Sequence, residues 1–175
     1  MYCRGRSHTQ QVPPCFTTPT WRNVSLEHFV SCPTNLAVNR QTRMLADLDT
    51  VGCYDSALLN TTSFKKSLLD SAKENLLKFS FFGITDEIVK TQFLFENTFN
   101  FRFSRQARQK LDKSELVNQD VGQGLKVKVR ELTQLDEELY RFAKHIFLSR
   151  VRDMEVLKNY TVGEYFKRVR DRQSG

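Results

Sequence analysis

The side chains able to do chemistry fall into three groups: four cysteines, three histidines and two runs of arginine and lysine. The cysteines are Cys3, Cys15, Cys32 and Cys53, all in the first third of the chain. An even count in a loop-rich segment predicts two disulfides and an oxidising compartment. Three pairings are open. Cys3–Cys15 with Cys32–Cys53 is favoured, because neighbouring pairs close short loops. A zinc site is the competing reading, but spacings of 12, 17 and 21 residues lack the close cysteine pair of such sites. The histidines, His8, His28 and His145, stand in no readable nucleophile–base arrangement, and His145, between Lys144 and Ile146 on the last long helix, is read as exposed or structurally satisfied. Asp136, Glu137 and Glu138 read as a solvated helix face. Gly122-Gln123-Gly124 is half of a dinucleotide fingerprint without its preceding strand or third glycine, and is read as loop.

The cations offer more. Arg40 and Arg43, three apart on a helix, share a face. Guanidinium forks suit carboxylate, phosphate and sulfate oxyanions, and a pair of surface salt bridges is the alternative. Residues 100–130 hold eight cations (Arg102, Arg105, Arg108, Lys110, Lys113, Lys126, Lys128 and Arg130) against three carboxylates. The alternation Phe101-Arg102-Phe103 suits base stacking, but reads more simply as a strand end with Phe inside and Arg outside. The whole chain carries 27 Lys+Arg and 20 Asp+Glu in 175 residues, a net charge of +7. That excess suggests an anionic partner: nucleic acid, anionic lipid, sulfated sugar or a nucleotide cofactor. The 14 Phe need a core, which excludes a disordered tail. No run is long enough to span a membrane, and residues 1–20 lack a signal-peptide core. That opening reads instead as a loop from the middle of a protein. Sequons at Asn23, Asn60 and Asn159 fit a secretory-pathway protein, or are ordinary polar surface.

The elements that must position these residues are predicted from periodicity. Leu26 to Ser31 reads as a short helix capped by Ser25, with Phe29 and Val30 inward. Asn35 to Leu48 reads as a second helix, with Leu36, Met44, Leu45 and Leu48 as its apolar contacts. Val51 to Asn60 reads as turn. Ser63 to Phe79 carries the stripe Leu69, Ala72, Leu76 and Phe79 of an amphipathic helix. Ser80 to Ile84 reads as a short buried strand. Thr85 reads as the cap of a helix running to Asn97, with Ile88, Val89, Phe93, Leu94 and Phe95 in the core. That helix–strand–helix unit implies an α/β layer. A long helix follows from Glu131, with Leu132, Leu135, Leu139, Phe142, Ile146 and Val151 on one face, and a basic amphipathic helix from Thr161. The expected organisation is one incomplete domain: a cysteine-containing part over 1–60, a helical part over 61–160 and a basic tail over 161–175.

The residue blocks resemble the C-terminal half of heparan-sulfate 6-O-sulfotransferase domains. The resemblance begins at Pro13-Pro14-Cys15, passes through Trp21, Leu26 and Phe29, and is densest from Cys32-Pro33-Thr34-Asn35-Leu36-Ala37 through Asn39-Arg40-Gln41 and Arg43 to Leu48, then Val51 to Tyr54. It resumes at Ser71-Ala72-Lys73, Asn75-Leu76, Phe81-Phe82-Gly83 and Thr85. Lys90-Thr91-Gln92, Phe95-Glu96, Thr98-Phe99-Asn100, Glu131-Leu132, Leu135-Asp136, Leu139-Tyr140 and Ala143-Lys144 complete it. The blocks lie in order over most of residues 13–150.

The resemblance implies an α/β fold, the helix-rich C-terminal part of a P-loop-like parallel-sheet domain. It implies sulfuryl transfer from 3′-phosphoadenylyl sulfate (PAPS) to the 6-hydroxyl of glucosamine in heparan sulfate, with no metal and no nucleic-acid partner. It implies a Golgi-lumenal, type II membrane protein whose anchor precedes this chain. In the family the 5′-phosphosulfate loop, the histidine base and the 3′-phosphate Arg/Ser pair lie upstream of the matched region. The chain is therefore expected to be a fragment, a truncated gene model or a diverged paralogue, inactive alone and without a catalytic residue of its own. After Phe103 the family shows Arg-Pro-Phe and a Ser-Thr-Arg stretch that holds PAPS. Here only Arg105 matches, with Arg108 and Lys110 as electrostatic substitutes. Arg40 and Arg43 are the candidates for the sulfated glycan. A non-catalytic heparin-binding module is the alternative.

Overall fold

The computed structural model describes residues 2–3, 6–7, 15, 24–51, 61–108 and 122–173. Within these the chain is helix-rich. Two compact units form, each from two stretches: residues 1–78 with 116–140, and residues 79–115 with 141–175. The only described strands are β1 (Tyr2–Cys3) and β2 (Arg6–Ser7), paired antiparallel with Tyr2 opposite Ser7. No parallel sheet occurs among the described residues.

In the first unit, α1 (Leu26–Ser31) starts where predicted, with the Ser25 hydroxyl accepting from the His28 N–H at 3.1 Å. The predicted helix over 35–48 is broken in two. Residues 35–39 turn, and Asn39 adopts a left-handed conformation (φ 49°) that no helix interior accepts. Then come α2 (Arg40–Leu45) and α3 (Leu48–Val51). Asp47 separates them, its carboxylate accepting from the Thr50 hydroxyl at 2.7 Å and the Thr50 N–H at 3.3 Å. With α2 so short, Met44 points to solvent and is 58% exposed, not an apolar contact. Helix α4 (Thr62–Leu77) begins one residue early, because the Thr61 hydroxyl caps Phe64 N–H at 3.2 Å. Its buried stripe is Phe64, Leu68, Leu69, Ala72 and Leu76; Phe79 lies beyond its end and is half-exposed. Leu48, Phe64 and Leu68 form a core with Leu36, Ala46, Val51 and Leu135 around it. Asn75 ties α4 to α2 by donating to the Leu45 carbonyl at 2.8 Å. Residues 122–124 are not loop: Gly122 caps α6 (Gln123–Leu132). Thr133 interrupts it before α7 (Gln134–Lys158), whose start lies in this unit and whose remainder lies in the second.

The second unit opens on the predicted strand, which does not form. Ser80 to Ile84 is irregular. The Thr91 hydroxyl donates to the Ile84 carbonyl and accepts from the Ile84 N–H, both at 3.0 Å. Both groups that a sheet would use are therefore taken. Gly83 is needed there, because a β-carbon would collide with the Thr91 side chain. Thr85 opens a 3₁₀ turn (Thr85–Glu87) rather than capping α5 (Ile88–Thr98). The Glu87 carboxylate meets Lys90 at 2.7 Å and Lys144 at 3.4 Å, and chiefly the Lys90 hydrogen bond holds it below the usual carboxylate range. Phe93, Leu94, Ala143, Phe147, Val151, Tyr165 and Phe166 are buried here.

Helix α8 (Val162–Gln173) follows α7 after a left-handed Asn159 (φ 55°). Thr161 and Glu164 form a reciprocal box: the carboxylate accepts from the Thr161 N–H at 2.7 Å, and the Thr161 hydroxyl accepts from the Glu164 N–H at 3.2 Å. The Thr161 backbone bond, with its hydroxyl second, holds the Glu164 carboxyl below its ordinary value of 4.5. A depressed acid stabilises the fold fully above its unfolded value and loses that contribution as pH falls through the folded value. The α8 start is therefore expected to fray on acidification below 4.5. Intrinsic-rate-corrected amide exchange at Thr161, followed from about pH 6 to about pH 3, reads this. Glu164→Gln should remove the pH dependence.

Candidate functional site

One cleft of about 270 Å³ lies within the first unit, between the end of α1 and helices α4 and α6. Arg43, Lys65 and Lys128 line it, with Glu131 as the opposing charge and Val30, Phe64 and Leu132 as apolar wall. Lys128 reaches its rim by donating to the Ser31 hydroxyl at 3.0 Å. Arg43 is half-buried and its Nε donates to the Val38 carbonyl at 3.1 Å, which pins the guanidinium beside the turn. Arg40, at the first residue of α2, is exposed and is not among the cleft's walls. The predicted pair thus occupies two environments.

The turn before α2 explains its rigidity. The Asn39 side-chain carbonyl accepts from the Leu135 N–H at 3.0 Å and the Asp136 N–H at 3.3 Å, capping α7. Asp136 returns the arrangement. Its carboxylate accepts from the Gln41 N–H at 3.2 Å, the Thr42 N–H at 2.8 Å and the Thr42 hydroxyl at 2.6 Å, capping α2. Two helix N-termini, whose dipoles favour negative charge, share one carboxylate. Asp136 is therefore half-buried and fully engaged, not part of a solvated face; Glu137 and Glu138 are exposed as predicted.

The cysteines pair differently from the favoured connectivity. Cys15 is bonded to Cys32 with Cα atoms 5.7 Å apart, which rules out both Cys3–Cys15 and Cys32–Cys53. The bridge ties residue 15 to the end of α1, and Thr34 Oγ1 lies 3.4 Å from the Cys32 sulfur. Short-loop closure lost to the fold, which brings residue 15 to the Cys32–Thr34 turn. Cys53 lies outside the described residues.

In the second unit, Arg105 and Arg108 are exposed on the irregular segment after α5; Lys110 lies outside the described residues. Phe101-Arg102-Phe103 is not a strand end with Phe inside. Phe101 and Phe103 are half-exposed and edge-packed on each other, their rings 4.8 Å apart. Arg102 instead folds back over the Tyr165 ring, 5.5 Å from its centroid, and donates to the Glu96 carbonyl at 2.9 Å. Beneath this segment lies a buried polar group that sequence reasoning missed. Glu96 is 1% exposed, accepts from the Gln92 amide at 2.8 Å and from the Phe103 N–H at 2.9 Å, and receives the Tyr165 hydroxyl in a short bond. Burial first, then that bond, pushes the Tyr165 phenol well above its ordinary range. Tyr160 donates to Asn97 at 2.9 Å alongside. The available signal was Gln92 and Glu96 at i, i+4 beside the apolar Phe93 and Leu94.

His28 and His145 are exposed, and His8 lies outside the described residues. Asn159 is exposed, while Asn23 and Asn60 lie outside the described residues. Among the described residues no three His, Cys, Asp or Glu side chains gather to hold a metal, and no helix is long and apolar enough to cross a membrane.

No family model matches the chain. Curated relatives do. Heparan-sulfate 6-O-sulfotransferase 3-B of Danio rerio is 43% identical over 149 residues, covering 85% of this chain and 35% of that protein. Heparan-sulfate 6-O-sulfotransferase 2 of Gallus gallus is 43% identical over 153 residues, 87% of this chain and 38% of the relative. Heparan-sulfate 6-O-sulfotransferase 1 of Homo sapiens is 42% identical over 149 residues, 85% of this chain and 36% of the relative. The chain spans about a third of the length of the curated relatives it matches.

Proposed function

Because this chain belongs to the heparan-sulfate 6-O-sulfotransferase family, we propose that the protein carrying it transfers the sulfuryl group of PAPS to the 6-hydroxyl of glucosamine in heparan sulfate. In that reaction the hydroxyl oxygen bonds to sulfur, the sulfur–phosphate oxygen bond breaks, and adenosine 3′,5′-bisphosphate leaves. A base takes the hydroxyl proton while cations stabilise charge on the departing nucleotide. The observation that carries the reading is the identity of about 42% over 85–90% of this chain.

Within it, Arg105 and Arg108 supply positive charge toward the nucleotide, with Lys110 continuing the run. The glycan falls to Arg40 and Arg43, with Lys65 and Lys128 adding charge around Arg43. Golgi lumen, type II membrane anchoring and glycosylation at the exposed Asn159 belong to the same reading. The donor loop and the base are assigned to no residue of this chain. PAPS-dependent sulfation of desulfated heparan is the test. The full-length protein is expected to transfer sulfate and the 175-residue chain alone is not. A full-length protein without transfer overturns the function. Transfer by the chain alone overturns the placement of donor loop and base outside it.

The three cations on one cleft favour a second reading, a non-catalytic heparin-binding module. Arg43→Ala with Lys128→Ala is then expected to lower the salt needed to elute the chain from heparin more than from phosphocellulose. Equal shifts on the two resins would report charge alone.

A further inference from the structure

The segment after α5 is exposed and irregular, yet its backbone is tied at every second residue. The Phe101 N–H donates to the Glu96 carbonyl at 3.0 Å. The Phe103 N–H donates to the Glu96 carboxylate at 2.9 Å. The Arg105 carbonyl accepts from the Gln92 side-chain amide at 3.1 Å, and the Ala107 N–H donates to the Gln92 side-chain carbonyl at 2.5 Å. A side-chain amide presents a donor and an acceptor as a peptide does. Gln92 therefore pairs with residues 105 and 107 as a neighbouring strand would. Glu96 is held in turn by the Gln92 amide and, on its other oxygen, by the Tyr165 hydroxyl of α8. Arg170, also on α8, reaches Gln106 at 3.3 Å. The backbone is fastened to buried groups while the side chains of Arg105 and Arg108 stay exposed.

We propose that Gln92 and Glu96 are positioning residues for the phosphosulfate donor: they hold the 101–107 backbone in one fixed path, so that Arg105 and Arg108 are presented without an ordering cost at binding. The inference rests on the reading above that these two arginines meet the nucleotide. Its physical content is preorganisation. A free segment of this length loses backbone entropy when it closes on a ligand, and a pre-tied one does not. The loss of the ties therefore weakens binding of donor and transition state alike, which appears in KM and not in kcat.

Two measurements test it. On the 175-residue chain, amide exchange at Ala107 is expected to be protected, and Gln92→Ala is expected to remove that protection while leaving α4 amides unchanged. On the full-length protein, Gln92→Ala is expected to raise KM for PAPS roughly tenfold with kcat within about twofold. Val151→Ala, a core change in the same unit, should lower thermal stability and leave that KM unmoved. Unchanged exchange at Ala107 overturns the tie. Lost protection with an unchanged KM overturns the positioning role. If Arg105→Ala with Arg108→Ala leaves KM for PAPS unchanged, the failure lies in the cofactor reading on which the proposal rests.

Discussion

Asp136→Ala is expected to lower the stability of the first unit by about 3 kcal/mol, the cost of leaving buried donors without an acceptor. The carboxylate takes three hydrogen bonds from the start of α2, and Thr42, which supplies two of them, is fully buried. No water reaches Thr42 as a replacement without opening the turn. The helix-dipole contribution adds to the loss, because the carboxylate sits where two N-termini converge. A thermal melt should show a drop of roughly 6–12 °C for a chain of this size. Asp136→Asn keeps one acceptor oxygen and should lose less than half as much. Asn39→Ala, which uncaps α7 and removes a residue suited to left-handed backbone, should fall between the two. An Asp136→Ala variant that melts with the wild type would show that the carboxylate is an ornament of the turn.

Phe93→Ala is expected to cost about 3–5 kcal/mol in the second unit. The ring is 0% exposed, and Tyr165 and Tyr160 meet it at 5.5 and 6.2 Å in edge-on geometry. Its removal leaves a cavity under the two tyrosines whose hydroxyls serve Glu96 and Asn97. The damage should therefore spread to the polar group beneath the arginine segment, and exchange protection at Phe103 should fall with the melting temperature. Met44→Ala provides the contrast. Its periodic position suggests a core contact, but the side chain is 58% exposed. That variant should stay within about 0.5 kcal/mol of wild type. A Met44→Ala loss as large as that of Phe93→Ala would contradict the short, broken α2.

Some of this was legible in residue order. Helix α4 follows from its stripe, since three- and four-residue spacings place Leu69, Ala72 and Leu76 on one side of any α-helix. Helix α1 follows from Ser25, whose hydroxyl needs only its own neighbourhood to cap His28. The apolar stretch Ser80 to Ile84 was not legible. A run that short suits a buried strand or a buried turn equally, and Thr91, seven residues on, decided it by occupying both polar groups of Ile84. The candidate sites divide the same way. Arg105 and Arg108 are readable as charge. Gln92 and Glu96 look like ordinary polar positions until Phe103, Arg105, Ala107 and Tyr165 are brought to them.

By itself, then, the amino-acid sequence determined the family, the basic balance and the longer helices. Each depends on residue identity or on spacing along one element. Tertiary structure alone decided that Cys15 bonds Cys32, that Asp136 caps a helix 94 residues away, and that an exposed arginine segment is fastened from beneath. Those outcomes depend on which buried polar groups find partners across the fold. Leaving such a group unpaired costs more than any local preference of the chain can offset.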